Sequence, residues 1–497
     1  MPARIPSIIA SLLAISAVLI AFAGVSLRGS FAANDATVEE FIAEQDERLA
    51  RKLDRYDIPG ISVAMVHNGE IVWVEGYGEA DRSTGAPVTP HTVFESGSIA
   101  KSLTAWGVMR LVETGRIELD APVERYLERW EFPEADFPTD GVTVRRLLSN
   151  SSGLPAVIHF PSIDGLLAGE PDRDEIVPQQ RPGEGFIYSN PGWVLIALMI
   201  EDVTGQSYPE FMRQEVLEPL GMVDSGFGWD ADFSENAATG YTFGGNPVPA
   251  DEHGPYGAGS LYSTAEDLAR FAQSSIDAAA GGALHPDSVD LMHMPVVDVS
   301  GGYHGLMSES YGFGHFIEEL PNGNTGITHG GESGGWLTAY YLVPESGDGL
   351  VMMSNSRRSW PLVNVLDDWA EWRGFPSTVM TRSYGRLETG VTIAIGAFGL
   401  GTVVLVGILA RAFWTGGRRF VPASRDSWPW RMIQMLLAIV LLLGWWLLAR
   451  EIAGPFFPVL TAYLGIALTA YSILLMLMAV TVPRSARRLI DDSDAAG

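Results

Sequence analysis

Phe94-Glu95-Ser96-Gly97-Ser98-Ile99-Ala100-Lys101 opens a run of helical spacing that continues to Glu113 and meets a stop at Gly115. The spacing predicts a helix over 99–113 with Ser98 at its N-terminus. Three positions along a helix bring the Lys101 amine one turn from the Ser98 hydroxyl, on nearly the same face. A serine hydroxyl is a poor nucleophile until a base takes its proton, and a partly desolvated lysine of lowered pKa can assist. The positive end of the helix favours the negative charge that develops. A four-residue pattern with two free positions also arises by chance, and its bland reading is an N-cap serine beside a solvated lysine.

Two further motifs bear on that choice. Tyr188-Ser189-Asn190 stands just before a predicted helix over 192–203 that Gly205 ends. It offers a phenol to carry a proton and an amide to orient substrate and lysine; a turn with a packed tyrosine is the plain alternative. His329-Gly330-Gly331 follows a short predicted strand over 325–328 and precedes Gly334 and Gly335. Missing side chains there would let a substrate backbone lie close to the strand. A tight turn with a surface histidine is the alternative.

Working outward, 38–56 has helical spacing with Phe41, Leu49 and Leu53 apolar among charges. Ile61, Val63 and Met65 alternate towards an Asn68-Gly69 turn, and Ile71 and Trp73 resume the alternation, the form of a hairpin. A helix over 265–274 begins at the cap residues Ser263 and Thr264. Strands over 336–343 and 350–353 and a helix over 361–372 follow. Strands at both ends of a helical middle predict an α/β fold of the α+β type: one antiparallel sheet flanked by helices, with a mostly helical insertion. Trp106, Trp193 and Trp336 read as core, Trp336 near enough to the third motif to border a cleft.

The chain has no cysteine, which excludes disulfides and thiolate metal sites, and no His-Glu-x-x-His pair. His253 beside Asp251 and Glu252 reads as a solvated loop. No metal and no cofactor is expected. Residues 35–385 carry 54 of the 60 acids and 20 of the 32 bases, so nucleic acid is not an expected partner.

Apolar runs lie at both ends. The run over 8–25 reads as a signal peptide or an uncleaved anchor, giving an N-terminal segment 1–34. Runs over 391–410, 432–449 and 459–482 predict three transmembrane helices within 386–497. Arg411, Arg418, Arg419, Arg425 and Arg431 lie between the first and second runs, and Arg484, Arg487 and Arg488 follow the third. Positive loops stay inside, so these segments are expected to be cytoplasmic and residues 35–385 extracytoplasmic. Residues 384–389 form the short join. The lipid bilayer is thus an expected partner, beside a small-molecule or peptide substrate.

In this order the three motifs resemble the active site of serine β-lactamases, penicillin-binding proteins and related esterases and peptidases. The stretches 94–101, 115–123 (Gly115 to Val123), 147–155 (Leu147 to Pro155) and 259–268 (Gly259 to Leu268) look like the class C branch, and the resemblance covers about residues 38–375. It implies a β-lactamase/transpeptidase-like fold and an acylation cycle. Ser98 would attack a carbonyl while Lys101 and Tyr188 relay its proton to the leaving group. Water would then release the acyl group, with Tyr188 as base. The amides of Ser98 and Glu332 would hold the oxyanion, Asn190 would bind the substrate amide, and His329 and Gly331 would line the site. Two positions depart from the family. His329 stands where β-lactamases and transpeptidases usually carry lysine, removing a fixed charge for a substrate carboxylate and favouring an esterase or peptidase. Asn150 stands where many relatives have histidine, with packing the expected consequence. A hydrolase is the first reading; an acylatable or catalytically silent membrane receptor of the same fold is the second.

Overall fold

The computed structural model describes residues 36–483, apart from 157–161, 169–172, 230–232, 234, 249–254, 279–281, 302, 421–427 and 447–455. The run over 8–25 and His253 lie outside the described residues. The chain divides into two compact units that meet in the sequence between Ser383 and Tyr384.

The first unit is built on a nine-stranded antiparallel sheet. Its strands in chain order are β1 (Gly60–His67), β2 (Glu70–Asp81), β3 (Ala86–Pro87), β4 (Val297–Asp298), β5 (Ser310–Tyr311), β6 (Phe316–Glu319), β7 (Thr325–Glu332), β8 (Leu337–Val343) and β9 (Asp348–Ser354). Their order across the sheet is β3-β2-β1-β9-β8-β7-β6-β5-β4. β1 pairs with β9 in the register Ile61↔Ser354 to Val66↔Gly349, so the two ends of the unit meet at the centre of the sheet. The expected one-sheet architecture with a helical insertion is the observed one.

Helices cover both faces. On one side α4 (Ala265–Ile276), with Leu268, Phe271 and Ala272, packs into a core that contains Ala64, Val66, Leu342, Val351 and Met353. On the other, Phe41 of α1 (Val38–Tyr56) stacks on Trp372 of α5 (Val363–Arg373) at 4.6 Å and meets Trp73 of β2 edge-on. The expected hairpin is β1 and β2, paired antiparallel on either side of Asn68-Gly69, and the two helical layers leave β1 buried from Gly60 to Val66. A strand between two helical layers has no solvent face, so both sets of alternate residues are apolar or small. α1 begins with a capping box in which Thr37 and Glu40 satisfy each other's backbone N–H.

The insertion carries α2 (Ala100–Glu113) and α3 (Asn190–Thr204). Both are buried nearly all round, Trp106 and Trp193 included, as expected of central helices.

The second unit contains most of α6 (Val379–Trp414), with α7 (Trp428–Gly444) and α8 (Pro458–Val480). Leu405, Leu409, Ala438, Tyr471, Leu475 and Met478 form its core. Two of the three expected spans are helices long and apolar enough to cross a membrane, within α6 and α8. α7 is a shorter apolar helix of 17 residues, and the last residues of that run lie outside the described chain. The expected join over 384–389 is helical, being part of α6. Arg418–Phe420 pairs antiparallel with Thr481–Pro483.

Glu318 of β6 is buried and accepts hydrogen bonds from the Tyr341 hydroxyl (2.8 Å) and the Val379 N–H (2.8 Å), with Arg382 3.9 Å away. Burial pushes its carboxyl up to about 7. A carboxyl raised above its unfolded value contributes stability that is complete at low pH and is lost as pH rises through the folded value. From pH 5 to pH 8 this group alone is expected to weaken folding by an amount on the order of 3 kcal/mol. Denaturant unfolding of full-length protein at the two pH values should show a smaller drop in Glu318→Gln than in the native chain; equal drops would refute the assignment.

Candidate active site

The nucleophile turn is shaped by its neighbours. Phe94 and Glu95 pair with Ser263 and Tyr262, and the Ser96 N–H donates to the Leu261 carbonyl at 2.7 Å. Gly97 turns the chain at φ +52°, and Gly97–Ile99 forms a single 3₁₀ turn. α2 therefore begins at Ala100, so Ser98 sits in the entry turn, half-buried.

β7 closes on this turn. It extends through Glu332, so His329-Gly330-Gly331 lies inside a strand instead of after a short one. A Cβ on Gly331 would stand 1.9 Å from the Ser96 carbonyl oxygen and 2.5 Å from Thr338 Oγ1. Thr338 Oγ1 itself donates to that oxygen at 2.9 Å. A Cβ on Gly335 would likewise meet the Gly240 backbone at 2.6 Å. At these two glycines the missing side chains admit the protein's own backbone, not a substrate's. The result is placement: a Cβ on Gly97 would lie 2.9 Å from the Glu332 amide nitrogen, so that N–H stands beside the nucleophile turn.

Lys101 is wholly buried, with Nζ 3.1 Å from Ser98 Oγ and 2.7 Å from the Ala258 carbonyl oxygen. No carboxylate among the described residues forms an ion pair with it. Burial alone holds the ammonium well below the ordinary lysine range. Nζ also lies over the Tyr188 ring, 4.8 Å from its centroid.

Tyr188 borders the same cavity as Ser98, and burial raises its phenol above the ordinary range, with Ser98 opposing the shift. Burial thus favours the protonated phenol. Its setting depends on Asn150, in the left-handed region at φ +54°. Asn150 Oδ1 accepts from the Ser189 N–H (3.1 Å) and Trp193 Nε1 (3.2 Å), and its carbonyl accepts from Ile187 N–H (2.8 Å). Asn150 clamps the segment around Tyr188, a larger part than the packing effect expected of it. Ser189 then caps α3 through the Gly192 N–H, placing Asn190 on the helix's first turn.

His329 is buried; its Nδ1 faces the Gly330 carbonyl at 2.8 Å and its Nε2 the Tyr311 hydroxyl at 3.2 Å. That pairing fits an imidazole protonated at Nδ1 and accepting at Nε2. Burial first, then the nearby Lys101, pulls its pKa down to about 3, so it carries no charge. His304 was not singled out by the sequence reading. Its ring stacks on Tyr188 at 4.5 Å, and burial followed by Lys101 lowers it to about 4. Glu332 is exposed and forms an ion pair with Arg357, another residue that no motif marked.

Ser98, Tyr188, Asn190, His329, Gly331 and Glu332 thus border one cavity, with Lys101 beneath Ser98. Trp336 is buried and borders a second cavity that also reaches Ser98.

An antiparallel sheet with a helical insertion, and a serine, a lysine and a tyrosine gathered between them, is the architecture of β-lactamases and penicillin-binding proteins. A sequence model of the Beta-lactamase family matches residues 37–369, and the chain belongs to that family. Among curated relatives, beta-lactamase-like 1 of Homo sapiens is 27% identical over 64% of this chain. The match spans 65% of that relative's length, just under two thirds. Penicillin-binding protein 4 of Amycolatopsis lactamdurans is 30% identical over 63% of this chain and 85% of its own. Among solved structures, the octameric penicillin-binding protein homologue from Pyrococcus abyssi aligns with a TM-score of 0.58 and 27% identity, over 66% of this chain and 77% of that one. A class C beta-lactamase aligns at 0.56 over 65% and 94%, with 23% identity, a likeness of fold.

Gly331→Ala is expected to push β7 off the Ser96 carbonyl. Labelling of Ser98 by a fluorophosphonate, followed by intact mass, should slow by about a hundredfold or more, the scale of a lost oxyanion donor. An unchanged rate would show that this close approach does not position the site.

Proposed function

We propose that the chain is a membrane-anchored serine hydrolase that forms an acyl-enzyme on Ser98 and hydrolyses an ester, amide or peptide, D-amino-acid peptides among the candidates. The observation that carries this reading is the fully buried Lys101 amine, with no carboxylate partner among the described residues, 3.1 Å from Ser98 Oγ and 4.8 Å from the centre of the Tyr188 ring. A neutral amine can accept the hydroxyl proton as Ser98 attacks the carbonyl. The proton then passes through the Tyr188 hydroxyl to the leaving atom. In the second half a water loses its proton along the same path and attacks the acyl-serine, freeing the acid and restoring the hydroxyl. Because burial keeps the phenol protonated, Lys101 is the base in both halves and Tyr188 the carrier. The backbone N–H groups of Ser98 and Glu332 hold the oxyanion, and Asn190 orients the substrate. His329, neutral and bonded to Tyr311, shapes the wall.

The domain over 35–385 is read as extracytoplasmic, with 386–497 anchoring it and the arginine-rich loop and tail inside. The pairing of Arg418–Phe420 with Thr481–Pro483 supports placing that loop and tail on one side.

Intact-mass labelling by a fluorophosphonate, run beside turnover of phenyl acetate, tests the chemistry. Native protein should gain one adduct and turn over. Ser98→Ala should do neither, and Tyr188→Phe should turn over about 10²- to 10⁴-fold more slowly, the usual worth of a positioned proton carrier. Undiminished turnover in Ser98→Ala would end the proposal.

A further inference from the structure

Two cavities meet at Ser98. One, of about 250 Å³, is bordered by Tyr188 and His304; the other, of about 450 Å³, by Glu95, Pro255, Ser260 and Trp336. Ser98, Asn190 and Glu332 border both, whereas Tyr188 borders the first alone. That asymmetry orients the substrate. When Ser98 displaces the leaving group, the C–O or C–N bond breaks and the departing atom takes a proton. In the mechanism read above Tyr188 hands over that proton, so the departing atom must lie on its side, in the first cavity. The acyl half then lies in the second.

Away from Tyr188 the first cavity is walled mostly by apolar side chains, Met307, Leu337, Met352, Leu362 and Val363 among them, and the Thr338, Ser354 and Ser359 hydroxyls on its wall are bonded within the protein. Among the described residues that border it, Glu332 is the one charged side chain, and it is an acid already held by Arg357. Both histidines, His304 and His329, are neutral and fixed by ring stacking and by Tyr311. A carboxylate entering this space would give up its water with no cation to replace it. An alkyl or aryl group would bury its surface against methionine and leucine.

We propose that the enzyme selects an uncharged, apolar leaving group, an alcohol or amine whose hydrocarbon part fills the cavity walled by Met307, Leu337, Met352 and Val363, and that it rejects leaving groups ending in a carboxylate. The proposal rests on the reading of Ser98 as nucleophile and Tyr188 as proton carrier. For an ester, the acyl group passes to Ser98 Oγ as the alcohol departs with the relayed proton, and water returns the acid.

Acetate esters of 4-methyl-, 4-butyl- and 4-hexylphenol and of 3-(4-hydroxyphenyl)propanoic acid test it, because their phenols are of similar acidity and differ in the group sent into the cavity. kcat/KM is expected to rise by up to about fourfold per added methylene, the equivalent of ~0.8 kcal/mol for each buried CH₂, until the cavity is full. The carboxylate ester is expected at least tenfold below the butyl ester. Met307→Arg, which places a cation on a half-buried wall, should shift the carboxylate-to-butyl ratio of kcat/KM at least tenfold towards the carboxylate. A flat alkyl series, or a carboxylate ester as good as the butyl ester, overturns the proposal and leaves the Ser98 chemistry standing. No turnover of any ester, with no fluorophosphonate adduct, overturns both.

Discussion

An amine taken out of water with no carboxylate to pair it is costly as an ammonium and tolerable as a neutral base, and the first unit is arranged around that constraint at Lys101. Its Nζ keeps two contacts, the Ala258 carbonyl and Ser98 Oγ, with the face of Tyr188 alongside. Burial that looks like a penalty for folding thus favours the neutral amine, the form that the proposed chemistry uses as proton acceptor. The sheet shares in this: Gly331 lets β7 seat on the Ser96 carbonyl, which closes the cleft over Ser98 and brings the Glu332 N–H beside the nucleophile turn. The 258–263 segment supplies both the carbonyl that holds Lys101 and the strand that pairs with Phe94–Glu95.

The same economy governs charge on the substrate side. With His329 buried and bonded to Tyr311, and Arg357 bound to Glu332, the cavity beside Tyr188 presents hydrocarbon and neutral rings. A neutral histidine in the third motif, His329, thus goes together with a wall of methionine, leucine and valine. Charge and apolar lining point to one kind of leaving group.

Much of the fold was legible in the sequence because period and punctuation are local: the Asn68-Gly69 turn, the Gly115 and Gly205 stops and the Thr264 cap each sit where the structure uses them. The gathering of Ser98, Lys101, Tyr188, Asn190, His329 and Glu332 was legible because short motifs in a family order carry their own spacing. What was not legible depends on partners distant in sequence. That β1 is buried on both faces was not legible, because nothing local reveals a second helical layer. Asn150 looked like packing, yet its Oδ1 serves two donors some forty residues on. His304 lies in a glycine-rich loop without a motif, and only the folded chain lays it on Tyr188. Gly335 was assigned to substrate because sequence shows that a side chain is missing, not what occupies the space, whereas Gly334 does border a cavity that reaches Ser98. The 432–449 run read as a span by composition; α7 covers it as far as Gly444, and 447–449 lie outside the described residues.

The central claim is that burial sets the protonation of Lys101, and it is tested most directly by the pH dependence of Ser98 modification by a fluorophosphonate in the full-length protein. The rate is expected to reach its plateau well below pH 10, with an inflection far under the ordinary lysine value of about 10.4, and to lose that inflection in Lys101→Ala. A rate that keeps climbing through pH 10 would mean that the amine is charged at neutral pH and that Ser98 is not activated in this way.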